Sequence, residues 1–317
     1  MAAVLLSAQT GHNHYHSQTG FWSSIEIDSS GRVEFTDDDA DVKSMSRDGY
    51  FEIEQRSYDG TRAFIATPGP SGEPHRVYSV NGSTKPLDAG AKAWLARTLP
   101  KYILESAIDA PARVQRIRSR RGVAGVLGEI GKIESDGSRR TYLYELLRTG
   151  GLKPEELREA MRQARRISSD GEKATLLVAA AGNYRSPEVR ADYFHTVDTI
   201  SSDGEHRRVL SSIVRNYGND PEMMAQSLKS ARRISSDGEK AQLLVEVSGR
   251  MLVSRTPQLR KKFFDAVATI SSDGEHRRVL DALLARPRLD VATLRDLAES
   301  AAAISSDGEK GAVLTPS

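Results

Sequence analysis

A hexapeptide recurs at a nearly fixed period, and that period limits what the chain can fold into. Ile-Ser-Ser-Asp-Gly-Glu stands at 167–172, 200–205, 234–239, 270–275 and 304–309. A degenerate first copy, Ile-Glu-Ser-Asp-Gly-Ser, occupies 133–138. The aspartates Asp136, Asp170, Asp203, Asp237, Asp273 and Asp307 lie 34, 33, 34, 36 and 34 residues apart. A period of that size indicates a stack of supersecondary units rather than one globular core.

Each copy separates two runs with helical periodicity. Leu157, Ala160, Met161, Ala164 and Ile167 precede the copy at Asp170; Ala174, Leu176, Leu177, Ala180 and Ala181 follow it. Both sets fit one apolar helix face. Serine with glutamate three residues on is a capping box: the hydroxyl takes a free N–H of the new helix, and the glutamate reaches back to the serine N–H. The aspartate between them adds negative charge at the positive end of the helix dipole. Ser169, Asp170 and Glu172 are thus expected to act as structural caps, as are Ser202, Asp203 and Glu205, Ser236, Asp237 and Glu239, and Ser272, Asp273 and Glu275. The invariant glycine has no role in such a box, since it costs roughly 1 kcal/mol against alanine inside a helix. An unusual backbone angle, a close contact or a shared origin of the copies would each account for it.

A longer repetition overlies the first. The copies at Asp170 and Asp237 continue Glu-Lys-Ala, whereas those at Asp203 and Asp273 continue Glu-His-Arg-Arg-Val-Leu. One helical hairpin is the structural unit and two hairpins are the sequence unit, as duplication of a pair would produce.

Upstream the period changes from 3.6 to 2. Residues 1–20 are expected to form a flexible lead, and Phe21 to Gly82 alternate: Ile25 and Ile27, Val33 and Phe35, Phe51 and Ile53, Phe64 and Ala66, then Arg76 to Val80. Ser29-Ser30-Gly31 suggests a turn that brings Val33 and Phe35 back, and Asp48-Gly49 and Asp59-Gly60 are hairpin signals. A meander of about five strands needs a covering layer. Lys85 to Glu105, with Trp94, Leu95, Leu99 and Ile103, is expected to supply it as a helix. From Ala107 onward the pattern is helical, with Pro111, Pro154, Pro187, Pro221 and Pro257 placed to open helices. The expected fold class is α+β: a β-meander with its helix over 21–106, then an α-solenoid of about 34-residue hairpins over 107–317.

The chemistry-bearing residues point away from catalysis. The histidines that follow the motif, His206 and His276, belong to repeated turns, whereas an enzyme needs one asymmetric site. His12, His14 and His16 alternate as metal ligands on a strand edge would, but adventitious binding or a disordered lead is the favoured reading. The acidic residues of the motif already have cap roles, so structure is favoured over calcium, and no cofactor or metal is expected. Arginine pairs recur at Arg165-Arg166, Arg207-Arg208, Arg232-Arg233 and Arg277-Arg278, after Arg113, Arg116, Arg118, Arg120 and Arg121. With a net charge of only +2, ion pairing is favoured over nucleic-acid binding. The chain has no cysteine and no apolar run of membrane-spanning length.

Ser169-Asp170-Gly171-Glu172-Lys173-Ala174 and Ser236-Asp237-Gly238-Glu239-Lys240-Ala241 resemble the Ser-Asp-x-Glu-Lys-Ala helical repeats of bacterial proteins, a HEAT-like array. Such arrays occur in the soluble C-terminal region of beta-lactam-sensing membrane metallopeptidases and in related extracytoplasmic proteins. The resemblance covers roughly Phe21 to the end and implies an extracytoplasmic sensor or scaffold module. No His-Glu-x-x-His is present, so no catalytic residue carries over.

The expected function is a non-enzymatic scaffold for a protein or peptide partner; a nucleic-acid-binding array is the alternative. After Asp307 the last helix can run only to about Leu314. Leu294, Leu297, Ala301 and Ile304 are therefore expected to form an uncovered apolar strip, where a partner or a second copy in a homodimer would dock.

Overall fold

The computed structural model describes residues 12–18, 23–70, 72–250, 256–287 and 289–314; the expected meander start at Phe21 and most of the lead lie outside them. An antiparallel sheet is followed by thirteen α-helices among the described residues, consistent with the α+β class. The chain divides into two compact units, Met1–Leu146 and Leu147–Ser317.

In the first unit the strands are β1 (Asn13–Gln18), β2 (Ser24–Ser30), β3 (Val33–Phe35), β4 (Val42–Met45), β5 (Tyr50–Ser57), β6 (Gly60–Pro68), β7 (Pro74–Val80) and β8 (Ser83–Lys85). Six form one sheet in the order β1-β2-β5-β6-β7-β8, and β3 pairs with β4 separately. Two expectations are corrected here. Val33 and Phe35 do not return onto Ile25 and Ile27, because β5 takes that edge of β2, with Ile27 opposite Ile53. Residues 13–18, read as flexible lead, form edge strand β1, with Tyr15 opposite Ile27. The β7–β8 turn at Asn81-Gly82 holds both residues at positive φ, 51° and 75°, as a tight hairpin requires.

Alternation along the strands sends Ile25, Ile27, Phe51, Ile53 and Phe64 to one face. Helix α1 (Ala89–Ser106) covers that face with Trp94, Leu95, Leu99 and Ile103, and Trp94 Nε1–H donates to Gln55 Oε1 at 2.6 Å. Helix α2 (Ala110–Ile130) bends at Gly122, whose φ of 66° interrupts it. It belongs with the sheet, not with the repeats that the expected boundary after residue 106 assigned it to. The reason is electrostatic. Arg113 donates to Asp39 Oδ2 at 2.7 Å and Arg116 to the same carboxylate at 3.3 Å, while Arg120 pairs with Asp37.

Beyond it come α3 (Asp136–Arg148), α4 (Pro154–Arg165), α5 (Asp170–Ala180), α6 (Pro187–Val197), α7 (Asp203–Tyr217), α8 (Pro221–Ala231), α9 (Asp237–Ser248), α10 (Pro257–Val267), α11 (Asp273–Leu284), α12 (Val291–Ala302) and α13 (Asp307–Leu314). The prolines open α2, α4, α6, α8 and α10 within their first two positions. In the second unit the contacts form two rows. Helices α4, α6, α8, α10 and α12 pack in succession, and α5, α7, α9, α11 and α13 form the parallel row. Each helix therefore touches its counterpart one hairpin away, which is a helical-repeat arrangement.

Candidate functional site

The repeated turns lie at the start of α5, α7, α9, α11 and α13, and each serine caps its helix. Ser169, Ser202, Ser236 and Ser272 Oγ accept the N–H of Glu172, Glu205, Glu239 and Glu275, each at 3.4 Å. These bonds are long. The shorter bonds run between repeats, and they are made by the aspartates.

Asp170 Oδ2 accepts the N–H of Ser201 at 3.0 Å and of Ser202 at 2.8 Å, one turn further on. Asp203 holds Ser235 and Ser236 at 3.0 and 2.7 Å, Asp237 holds Ser271 and Ser272 at 3.0 and 2.8 Å, and Asp273 holds Ser305 and Ser306 at 3.1 and 2.8 Å. One carboxylate thus ties two consecutive amides of the next turn, four times over. The expected reciprocal bond from glutamate to serine is replaced at Ser202, Ser236 and Ser272, because the preceding aspartate already occupies that N–H. The glutamates turn to arginine instead. Glu205 pairs with Arg208 at 2.6 Å, Glu275 with Arg278 at 2.7 Å, and Glu239 with Arg207 of the turn before.

The residue after the glutamate adds a second tie, which differs between the two classes of turn. Lys173 and Lys240 are buried and donate to the carbonyls of Thr199 and Thr269, at 3.4 and 2.8 Å, just before the next Ile-Ser-Ser. His206 and His276 are also buried; their Nε2 atoms lie 2.8 and 2.9 Å from Ser230 and Ser300 Oγ. Ser230 donates its hydroxyl to Asp198, so its oxygen is left to accept from His206 Nε2–H. Burial lowers the pKa of both histidines, against the raising influence of Asp198 and Asp203 on His206 and of Asp273 on His276.

The glycine is permissive rather than required. Gly171, Gly204, Gly238, Gly274 and Gly308 have no positive φ, and an added Cβ would meet nothing nearer than 3.9 Å.

In the first unit Glu105, at the end of α1, plays the aspartate's part. Its two carboxylate oxygens accept the N–H of Glu134 and Ser135, each at 2.9 Å, in the degenerate first turn. Sequence reading passed over Glu105, although an acid about one period upstream of the first turn was the available signal.

The remaining candidates are engaged elsewhere. The basic patch is matched by acids: Arg116 reaches Asp109 at 2.7 Å and Arg121 reaches Glu129 at 3.1 Å, besides the pairs with Asp37 and Asp39. In the repeats, Arg277 pairs with Glu309 at 2.9 Å and Arg233 with Asp198 at 3.0 Å. On the sheet edge His14, Glu26 and Asp28 bring ligand atoms within 4.8 Å of one another, two acids that the sequence reading had not placed beside His14. His14 Nδ1 lies 2.9 Å from Asp28 Oδ1, and that hydrogen bond raises the His14 pKa. These groups already satisfy one another as exposed cross-strand pairs.

The expected apolar strip is corrected. Leu297, Ala301 and Ile304 are 4%, 0% and 1% exposed, because α13, though short, packs on α11 and α12 and brings Val313 into the core. Leu294 alone of the four stays accessible, at 44%.

Comparison with protein families, curated proteins and solved structures yields no match for this chain. No helix among the described residues is long and apolar enough to cross a membrane.

Proposed function

We propose that the chain is a non-enzymatic protein–protein interaction scaffold, an α-solenoid of HEAT-like hairpins preceded in the sequence by a small sheet unit. The observation that carries this reading is the run of four aspartate ties. They fix each turn to the next, and a stack held in that way offers a long preorganised surface, which lowers the ordering cost of binding. The titratable groups support it as well. Among the described residues the internal motif aspartates, lysines and histidines serve structural bonds that recur, the lysine and histidine bonds at alternate turns, whereas a catalytic centre is one asymmetric site. The resemblance to the repeats of beta-lactam-sensing proteins agrees with a sensor or scaffold role.

The test is a binding measurement on the intact chain, immobilised and exposed to extract from its source, with the captured protein then purified. A saturable interaction between the two purified components, without turnover of any captured substrate, is the expected result. Recovery of a small molecule converted by the chain overturns the non-enzymatic reading.

A further inference from the structure

A run of alternating histidines binds metal adventitiously, but the fold sets acids beside this one. In the β1–β2 register His14 lies opposite Asp28 and His16 opposite Glu26, with Tyr15 opposite Ile27 between them. Ile25 and Ile27 point to the core, so Glu26 and Asp28 project from the other face of the sheet. There His12 Nε2 stands 3.2 Å from Asp28 Oδ1, and His14 Nδ1 stands 2.9 Å from the same oxygen. His14 Nε2 lies 3.8 Å from Glu26 Oε1. One ligand atom from each of His14, Glu26 and Asp28 is within 4.8 Å of the other two. Zinc held by imidazole nitrogens and carboxylate oxygens at about 2.0–2.2 Å spaces tetrahedral ligand atoms about 3.4 Å apart. All four side chains are accessible, so small rotations bring them onto one ion. The cross-strand pairs are satisfied as they stand, and a divalent cation takes the place of the proton shared by His14 and Asp28.

A second observation, the charge of the neighbouring strand, also asks for a cation here. Across the β2–β5 register Asp28 lies opposite Glu52 and Glu26 opposite Glu54. Like charges directly opposite one another destabilise a sheet. Arg56 answers one end of this acidic face, pairing with Glu54 at 2.5 Å and with Glu26 at 3.8 Å. Among the described residues Asp28 has ion-pair partners in His12 and His14 and in no arginine or lysine.

We propose that His12, His14, Glu26 and Asp28 form a binding site for a divalent transition-metal ion, zinc first of all. The donor set of two nitrogens and two carboxylates suits zinc, whereas calcium takes 6–8 oxygens. The ligands come from both sides of the β1–β2 pair. In the six-stranded sheet β1 is an edge strand with β2 as its one neighbour, and it carries Tyr15 against the core, 6.3 Å from the Tyr102 ring. The ion therefore fastens this edge strand, because a metal that binds the folded pair and not the unfolded chain stabilises it by mass action.

The test uses the full chain without a polyhistidine tag, stripped with a chelator and titrated with zinc chloride at pH 7.5 in a calorimeter. Binding of one zinc per chain in the micromolar range or tighter is expected. Asp28→Asn and Glu26→Gln keep the size of each side chain and remove its charge. Each should weaken binding by roughly a hundredfold, since loss of an outer-shell partner alone costs about 10–100-fold. His14→Gln should do the same, and His75→Gln, on β7, should change nothing. In hydrogen exchange, zinc should slow the amides of β1 and leave those of β7 as they were. Binding that both acid variants leave unchanged overturns the inference, because it assigns the metal to the histidine run alone, an adventitious ion only. Binding weaker than millimolar, or zinc that leaves β1 exchange unaltered, overturns it as well.

Discussion

Asp203 Oδ2 accepts the backbone N–H of Ser236 at 2.7 Å across one whole repeat, and it is this bond, more than the serine cap, that holds neighbouring turns together. Asp203 holds the Ser235 amide as well. A carboxylate that accepts backbone amides is a strong acceptor, contributing roughly 1.5–3 kcal/mol where water is excluded. The site is partly exposed, so Asp203→Ala should cost about 1–3 kcal/mol in denaturant unfolding. Ser202→Ala, which removes only a 3.4 Å cap bond, should cost about 1 kcal/mol or less. Equal losses for the two variants would show the ties to be incidental.

The glycines give the opposite sign. Gly204 has ordinary helical geometry and open space where a Cβ would stand. Gly204→Ala removes backbone freedom from the unfolded chain without a clash, so a gain of up to about 1 kcal/mol is expected. A melting curve that moves downward would reveal a contact that the geometry does not contain.

These two outcomes mark what could be read from the sequence. The helical period, the proline starts and the serine caps at Ser169, Ser202, Ser236 and Ser272 follow from local rules, and local rules are visible in one chain. The partner of Asp203 is not local. Cap and tie both ask for an acid at the first helical position, so the same residue satisfied both readings and only the fold separates them. Leu297 and Ile304 were misjudged for a related reason: the eight residues of α13 look too short to cover anything, but one turn of helix with Val313 on its inner face is enough. In the sheet, alternation located β2, β3, β5, β6 and β7 but not β1, β4 or β8. Pairing order depends on which edge is free, so the separate β3–β4 hairpin was not legible.

Acid should weaken the repeats through their histidines. The folded pKa of His206 and His276 lies below the ordinary value near 6.5, first because they are buried. The unfolded chain then binds more protons in that window. The histidine contribution is fully present above about pH 6.5 and is lost as pH falls towards the lower folded values. Unfolding midpoints of the wild type and of a His206→Gln, His276→Gln double variant, compared at pH 7.5 and pH 5, should show the larger acid loss in the wild type. Parallel losses would assign the effect to carboxylates alone.

The arginines predict a negative result. Arg113 is held by Asp39, Arg116 by Asp109 and Arg207 by Glu239, so these guanidinium groups of the basic patch and the repeats are already committed to acids rather than to phosphates. Phosphate-driven binding tightens steeply as salt is lowered. No gel shift with single- or double-stranded nucleic acid is expected even at low salt. A shift that disappears on raising the salt would restore the nucleic-acid alternative.

Glu105 offers the sharpest test of the tie itself, because it reproduces the chemistry with a different side chain and outside the repeated sequence. Its carboxylate bonds the amides of Glu134 and Ser135, and the residue is 6% exposed. Glu105→Ala leaves both amides without an acceptor and should destabilise by about 1–3 kcal/mol. Glu105→Gln keeps one oxygen but turns an NH2 group towards the second amide, so it should fall between alanine and the wild type. Glu134→Ala is the control, since it removes an exposed side chain and leaves the bonded N–H in place. Urea unfolding of the intact chain, followed by the fluorescence of Trp94 on α1, resolves the order. If Glu105→Ala costs no more than Glu134→Ala, a carboxylate on paired amides is not what secures these turns.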